Sequence, residues 1–448
     1  MTLLDPLFGW EPIDRIFSDP MRVQRMLDFE RALASAEARL GLIPKQSGPF
    51  IANQCKAEFF DLSAIARASA KAGNLAIPLV KELTTLVAKA DEPSSRYVHW
   101  GATSQDVIDT GLILQLRDAF AAIETELKQL CERLEQLAQS HRTSALPART
   151  WMQHAVPTVF GLKVAGWLDA LTRHRRRLRE VRARVLVLEF GGAAGSLASL
   201  GSDGLKVAQA LADELGLSLP DVPWHSHRDR IAEVGTTLAL LVGTLGKIAR
   251  DVSLQNQTEV AETFEPAGDG RGGSSTMPQK RNPVSCAVIL AAANQVPPLA
   301  STLLSAMPQE HERGLGGWQA EWDVLPELIR RAGGALHHTA KMADGLEIDT
   351  ARMRQNLDAT QGLVFAEAVA AALAKHMGKP EAHKLMEECS RQASEGKRPL
   401  REVLLANRQV SSHLNPAELD TLFDPLHYLG VAGDFIDRVI AGSKLEKH

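Results

Sequence analysis

The stretch from Gly270 to Pro283, GRGGSSTMPQKRNP, concentrates glycines, hydroxyls and cations in one short segment. Gly272 and Gly273 leave backbone N–H groups free to converge on an oxyanion, Ser274 and Ser275 each offer a hydroxyl, and Lys280 adds a fixed positive charge beside them. The segment reads as an anion-handling loop between two helices. The competing reading is a plain surface connector, since Gly/Ser loops that carry a lysine are common. It is not a P-loop, because Lys280 lacks the preceding GxxxxG spacing and no strand leads into it.

The elements that must position this loop are helical. Apolar residues recur at helical spacing from Met21 to Leu40, and Gly41 with Pro44 supplies a stop. From Ser104 to Ser140, Leu116, Phe120, Ile123, Leu127, Leu130, Leu134 and Leu137 alternate steps of four and three, a seam that needs a long partner helix. Further long helices are predicted over Phe160 to Leu188, Arg228 to Glu262, Val284 to Leu304 (bent near Pro297) and Glu321 to Ala343. With hardly any alternating strand pattern, the expected fold is all-α: an elongated bundle of five long helices with two smaller helical ends. The expected division is residues 1–105, 106–357 and 358–448, the last marked by shorter pieces broken at Gly378, Pro380, Pro399, Pro416 and Pro425.

Composition narrows the function classes. The chain has 448 residues, 45% hydrophobic and 23% charged, enough apolar material for a large core and too much for disorder. With 50 Lys+Arg against 54 Asp+Glu, the net charge of −4 weakly repels a phosphate backbone, so nucleic acid is not the expected partner. The basic run Arg173 to Arg184 lies in a helical pattern without interleaved aromatics and reads as a solvated or intersubunit face. Cys55, Cys131, Cys286 and Cys389 form no CxxC pair, which points to a reducing cytoplasm and away from disulfides or cysteine-bound zinc. No metal is expected: His225 with His227, His337 with His338, and His311 lack a third ligand in the sequence and read as surface histidines. No signal peptide or membrane span is expected, since Asn294, Gln295, Pro297 and Pro298 interrupt the most apolar stretch, Ala287 to Leu304.

GSSTMPQKRNP resembles the signature loop of the fumarase/aspartase superfamily. RYVHWGATSQDVIDT (Arg96 to Thr110) resembles the first conserved region of that family, and ARTWMQHAVP (Ala148 to Pro157) the second, so the resemblance spans most of the chain. It implies a homotetramer whose long helices pool into a twenty-helix core, with each active site assembled from three subunits. The implied chemistry is addition or elimination across a fumarate-like double bond through an aci-carboxylate dianion, with no metal or organic cofactor. By position, Ser274 matches the serine that moves the proton on carbon. Gly272, Gly273 and Lys280 would stabilise its alkoxide and the aci-carboxylate, and Asn282 would bind carboxylate. Thr103, Ser104 and Gln153 match substrate-binding positions, and His99 matches an active-site histidine whose other reading is a hydrogen-bonded residue at a helix entrance.

Two departures from the family pattern carry information. Where lyases have a histidine that protonates the leaving group, this chain has Trp151; indole cannot supply that proton, whereas a carboxylate leaves as a stable anion. Trp151 would then pack over the substrate or in the core, and His154, three residues on, is out of register and reads as structural. In QEHERGLGGWQAEW (Gln309 to Trp322), Gly314, Leu315, Gly316 and Gly317 replace the polar residues with which adenylosuccinate lyases hold their nucleotide, while Arg313 remains to grip a carboxylate bidentately. The expected partner is a small polycarboxylate. The competing readings are another lyase of the superfamily, such as adenylosuccinate lyase, an enzyme accepting a sulfonate in place of a carboxylate, and a non-catalytic helical oligomer.

Overall fold

The computed structural model describes residues 3–268, 272–273, 276–277 and 279–446. Its backbone is overwhelmingly helical. Helix α1 (Asp19–Leu40) opens on Ser18, whose hydroxyl accepts from the Met21 N–H, places Pro20 in its first turn and closes on Gly41 at φ 81°. Ser, then Pro, then glycine in the left-handed region are the start and stop that a helix of this sequence requires. Helix α2 (Ser104–Ser140) follows, and all seven apolar residues of its seam are buried, Leu116 through Leu137.

A hairpin of β1 (Ala145–Thr150) and β2 (Gln153–Val159) leads into α3 (Phe160–Val185). Then come α4 (Asp229–Gln255), a short strand β3 (Thr263–Phe264), α5 (Val284–Ser305) and α6 (Gly317–Asp344). Strand β4 (Glu347–Ile348) pairs antiparallel with β3 and precedes α7 (Thr350–Asp358). Five of these helices, α2 to α6, correspond to the five expected from periodicity.

Helix α5 departs from expectation in one respect. It runs unbroken through Pro297 and Pro298, which are both exposed, while Val296, Ala300 and Leu303 are buried on its other side. Outward-facing proline rings give up backbone bonds at the solvent side, and the buried apolar residues hold the helix together. As a result α5 reaches the length and apolarity of a bilayer span, contrary to the reading that polar and proline residues interrupt this stretch, and α4 independently does so too. Of the apolar windows concerned, 61% is buried in α4 and only 33% in α5.

By contacts the chain divides into two compact units. The first comprises Met1–Glu126, His174–Leu245 and Val288–His337; the second comprises Leu127–Arg173, Gly246–Ala287 and His338–His448. The unit boundaries therefore fall inside the long helices. The first unit buries Ile13, Met26, Leu27, Phe29 and Leu33 around α1. The second contains a separate C-terminal core built on Leu373, Leu385, Cys389, Leu400 and Leu404. All four cysteines are buried and none forms a disulfide.

Candidate active site

The first conserved region folds in the first unit as a tight entrance to α2. Asp106, on the first turn of α2, accepts the Thr103 N–H at 2.9 Å, capping its own helix. The same carboxylate accepts from the Gly191 and Gly192 N–H groups, each at 3.0 Å, and from His225 Nε2 at 2.7 Å. Thr103 and Ser104 are thus held at the helix entrance by a buried carboxyl group. His225 was read from sequence as a surface histidine and is instead 4% exposed, wedged against Asp106 with Glu189 Oε1 at 3.1 Å. Burial, with Asp109 and Asp106 nearby, pushes the Glu189 carboxyl up to about 9, so it is neutral at pH 7.

Asp106, Glu189 and His225 lie close enough together to hold a metal ion. Their bonding points elsewhere. Asp106 already accepts four hydrogen bonds, the full capacity of a carboxylate, which leaves no lone pair for a cation. The cluster serves as a hydrogen-bond hub that ties the loop at Gly191 and Gly192 to the start of α2.

Arg313 joins this region. Its Nε donates to Gln105 Oε1 at 3.1 Å, and its Nη2 donates to Thr103 Oγ1 at 3.2 Å and to the Ala193 carbonyl at 3.3 Å. The Nε–Nη2 edge, through which a guanidinium would grip a carboxylate bidentately, is therefore occupied by the protein in this structure. The glycines beside it are crowded: a Cβ on Gly314 would sit 2.9 Å from Gln309 Cβ, and one on Gly317 would sit 2.8 Å from the Ala306 carbonyl.

His99 stands at φ 62°, and its Nδ1 lies 2.6 Å from Oε1 of Glu30, a residue only 1% exposed. Burial disfavours a charged imidazole, but the adjacent Glu30 carboxylate outweighs it and holds His99 above the ordinary histidine value. The structural reading, a hydrogen-bonded histidine at a helix entrance, thus describes the Nδ1 side of the ring.

In the second unit, Ser274 and Ser275 lie outside the described residues, but the neck of their loop is described. The Asn282 N–H donates to the Gly272 carbonyl at 2.8 Å, and Asn282 Nδ2 donates to the Gly273 carbonyl at 3.4 Å. Gly272 has φ 66°, and a Cβ there would meet the Asn282 carbonyl at 2.5 Å, so this position accepts only glycine. Lys280 is exposed, and its N–H bonds back to Met277. Below the neck, Arg281 anchors the loop: it donates to the Glu265 carbonyl at 2.7 Å, pairs with Glu347 at 2.8 Å and covers the Phe264 ring. Glu265 in turn caps α5 by accepting the Ser285 and Cys286 N–H groups.

The second conserved region forms the β1–β2 hairpin of the same unit. Thr150 pairs with Gln153, which leaves Trp151 and Met152 as a two-residue turn with φ 50° and 67°. Positive φ at both central residues is the backbone of a turn that ordinarily takes Asn-Gly. Trp151 is 96% exposed and Met152 75%, so the reading of Trp151 as a core residue does not hold within the chain. Gln153 is exposed beside them. Beneath the tip, Arg149 makes a two-pronged contact with the buried Glu262, at 2.6 and 2.9 Å, and Asn356 on α7 adds a bond at 2.9 Å. His154 is half-buried; burial and then the Arg149 charge hold its imidazole below the ordinary value, consistent with a structural role.

Comparison with known proteins places these features in a family. Residues 11–297 match the family model described as lyase, and residues 362–439 match that described as adenylosuccinate lyase C-terminus. The chain belongs to this lyase family, of the fumarase/aspartase type. It is 55% identical over 439 residues, 98% of this chain and 96% of the relative, to the 3-carboxy-cis,cis-muconate cycloisomerase of Pseudomonas aeruginosa. The enzyme of the same name from Bradyrhizobium diazoefficiens is 53% identical over 98% of this chain and 97% of its own. The crystal structure of the 3-carboxy-cis,cis-muconate lactonizing enzyme of Pseudomonas putida superposes with a TM-score of 0.96 at 51% identity, covering both chains fully.

Several residues that position the candidate side chains were missed from sequence: Glu30, Gln105, Asp106 and Glu189 in the first unit, and Arg281 in the second. Asp106 and Gln105 lay within the recognised region, and a carboxylate two residues into a helix is a detectable cap signal. Glu30 and Glu189 gave no local signal, because their partners are far away in the chain. In the basic run Arg182 pairs with Glu124 at 2.7 Å, Arg173 with Asp169 and Arg184 with Glu233. His337 pairs with Glu126 at 2.8 Å and stacks on Trp10.

Proposed function

We propose that this protein interconverts 3-carboxy-cis,cis-muconate and 4-carboxymuconolactone, a lactonising step of protocatechuate breakdown in the β-ketoadipate route. The observation that carries the mechanism is Trp151 at the tip of the second region, in place of a proton-donating histidine. In lactonisation one substrate carboxylate forms a C–O bond to the carbon bearing the extra carboxyl group, and the neighbouring carbon takes up a proton. Read in reverse, the leaving group is a carboxylate, which needs no acid to depart near pH 7.

On this reading Ser274 supplies the proton to carbon, while Gly272, Gly273 and Lys280 stabilise its alkoxide and the dianionic intermediate. Asn282, Thr103, Ser104, Gln153 and Arg313 bind carboxylates, His99, oriented by Glu30, adds a further carboxylate contact, and Trp151 covers the diene and excludes water. Ser275 adds a loop hydroxyl. The reaction calls on no metal or organic cofactor. We infer further that the protein is a cytoplasmic homotetramer whose sites draw the first region, the hairpin and the Ser274 loop from different copies. The exposed apolar faces of α4 and α5 support that inference, as does an exposed tryptophan on a strained turn. Adenylosuccinate is disfavoured because the crowding at Gly314 and Gly317 leaves no room for the polar side chains that would hold a nucleotide.

The test is the ultraviolet absorbance of freshly generated 3-carboxy-cis,cis-muconate after adding purified protein. Wild type should abolish the absorbance of the conjugated diene, Ser274→Ala should slow it by at least about a hundredfold, and adenylosuccinate run in parallel should release no fumarate. Near-wild-type turnover by Ser274→Ala would overturn the serine assignment; an unchanged diene would overturn the cycloisomerase reading.

A further inference from the structure

Gln105 is fully buried on the first turn of α2 and has no place in the roles assigned above. Its amide makes three contacts of known sense. Nε2 donates to Asp109 Oδ2 at 3.0 Å and to the His225 carbonyl at 2.8 Å, and Oε1 accepts from Arg313 Nε at 3.1 Å. The orientation is chemically unique: a carboxylate and a carbonyl only accept, and a guanidinium only donates, so a flipped amide would lose all three bonds. Asp109 cannot swing to accommodate another arrangement. Arg228, fully buried, donates to its two oxygens at 2.7 and 3.2 Å, and Trp318 Nε1 donates to Oδ1 at 3.0 Å. Glu321 holds the far side of Arg228 at 3.0 Å. A rigid, buried ion network thus ends in one carbonyl oxygen aimed at Arg313.

We propose that Gln105 is a positioning residue for Arg313: it fixes the guanidinium plane so that Nη1, which has no protein partner among the described residues, faces the substrate carboxylate. The inference rests on the proposed role of Arg313 as a carboxylate binder. Its energetic logic is preorganisation. An untethered arginine samples many rotamers and must give them up on binding, whereas one tied back through Nε and Nη2 has already done so. A hydrogen bond to a charged group inside a protein is among the stronger ones, so its loss should be visible in substrate binding.

The test is a double-mutant cycle read in KM and kcat for 3-carboxy-cis,cis-muconate, with Gln105→Met, Arg313→Met and the double variant. Gln105→Met keeps the side chain's length and removes its polarity. If it acts through Arg313, it should raise KM roughly tenfold with a smaller change in kcat, and it should raise KM no further once Arg313 is methionine. Equal effects in both backgrounds would overturn the inference, because a merely structural glutamine costs the same with or without Arg313. If Arg313→Met alone left KM unchanged, the carboxylate-binding role of Arg313 would fail instead, so the two failures are distinguishable. Should Gln105→Met not fold, Gln105→Asn, which keeps the amide but withdraws the carbonyl by one methylene, carries the same cycle with the same deciding comparison.

Discussion

Glu37 is fully buried, and neither carboxyl oxygen has a hydrogen-bond partner among the described residues. Burial, reinforced by the nearby Glu30 charge, pushes it up to about 9, so the folded protein carries a proton that the unfolded chain releases near pH 4.5. Stability therefore falls as pH rises between these two values, because the native state binds the extra proton throughout that window. Glu37→Gln mimics the neutral acid without the titration. Relative to wild type it should gain about 3 kcal/mol between pH 6 and pH 8, measured from urea midpoints; a difference independent of pH would refute the assignment. The same scale shows what sequence could not reveal. His225 sits in WHSHRDR, a polar run that looks solvated, and its burial depends on Asp106, 119 residues earlier in the chain. Arg313 and Asn282 could be singled out as candidates because they stand in recognisable motifs, while Glu30 and Gln105 act through partners that no spacing rule connects.

At the scale of elements, the long helices were readable, since apolar periodicity is a repeated signal that tertiary packing reinforces, but their ends were less so: the Arg228 to Glu262 expectation overran α4 by about seven residues, and α6 starts about four before Glu321. The Ser104 to Ser140 expectation coincides with α2. The β1–β2 hairpin was not legible, because its turn is written Trp-Met rather than Asn-Gly and its strands hold two prolines. That mismatch has a measurable cost. An L-residue in the left-handed region loses roughly 1–2 kcal/mol, and glycine returns part of the gain as backbone entropy. Met152→Gly should therefore stabilise the protein by about 0.5–1 kcal/mol in thermal or denaturant unfolding. A destabilised variant would mean that the methionine makes contacts whose loss exceeds the strain. Strain held at an exposed tip, where packing within the chain does not require it, is the signature of a segment shaped for what it touches.

For the whole molecule, the unburied apolar surface is the feature that asks for an explanation. Leu240 on α4 is 57% exposed and Leu304 on α5 is 49% exposed, on helices whose composition is that of a core. If copies of the chain cover these faces, sedimentation at micromolar concentration should give a tetramer, and Leu240→Glu should shift it to smaller species with loss of turnover. A wild-type monomer that retains full activity would refute shared sites. The buried cysteines lead to a consequence of a different kind. Burial, compounded by neighbouring carboxylates, pushes the Cys55 and Cys286 thiols far above their ordinary range, and burial does the same to a lesser degree for Cys389, so almost no thiolate forms at neutral pH. Cys131 is buried as well. An electrophilic dye would find no fast-reacting native thiol, so a single cysteine placed at the hairpin tip could be tagged in the wild-type background, and its fluorescence would report directly when that tip becomes covered.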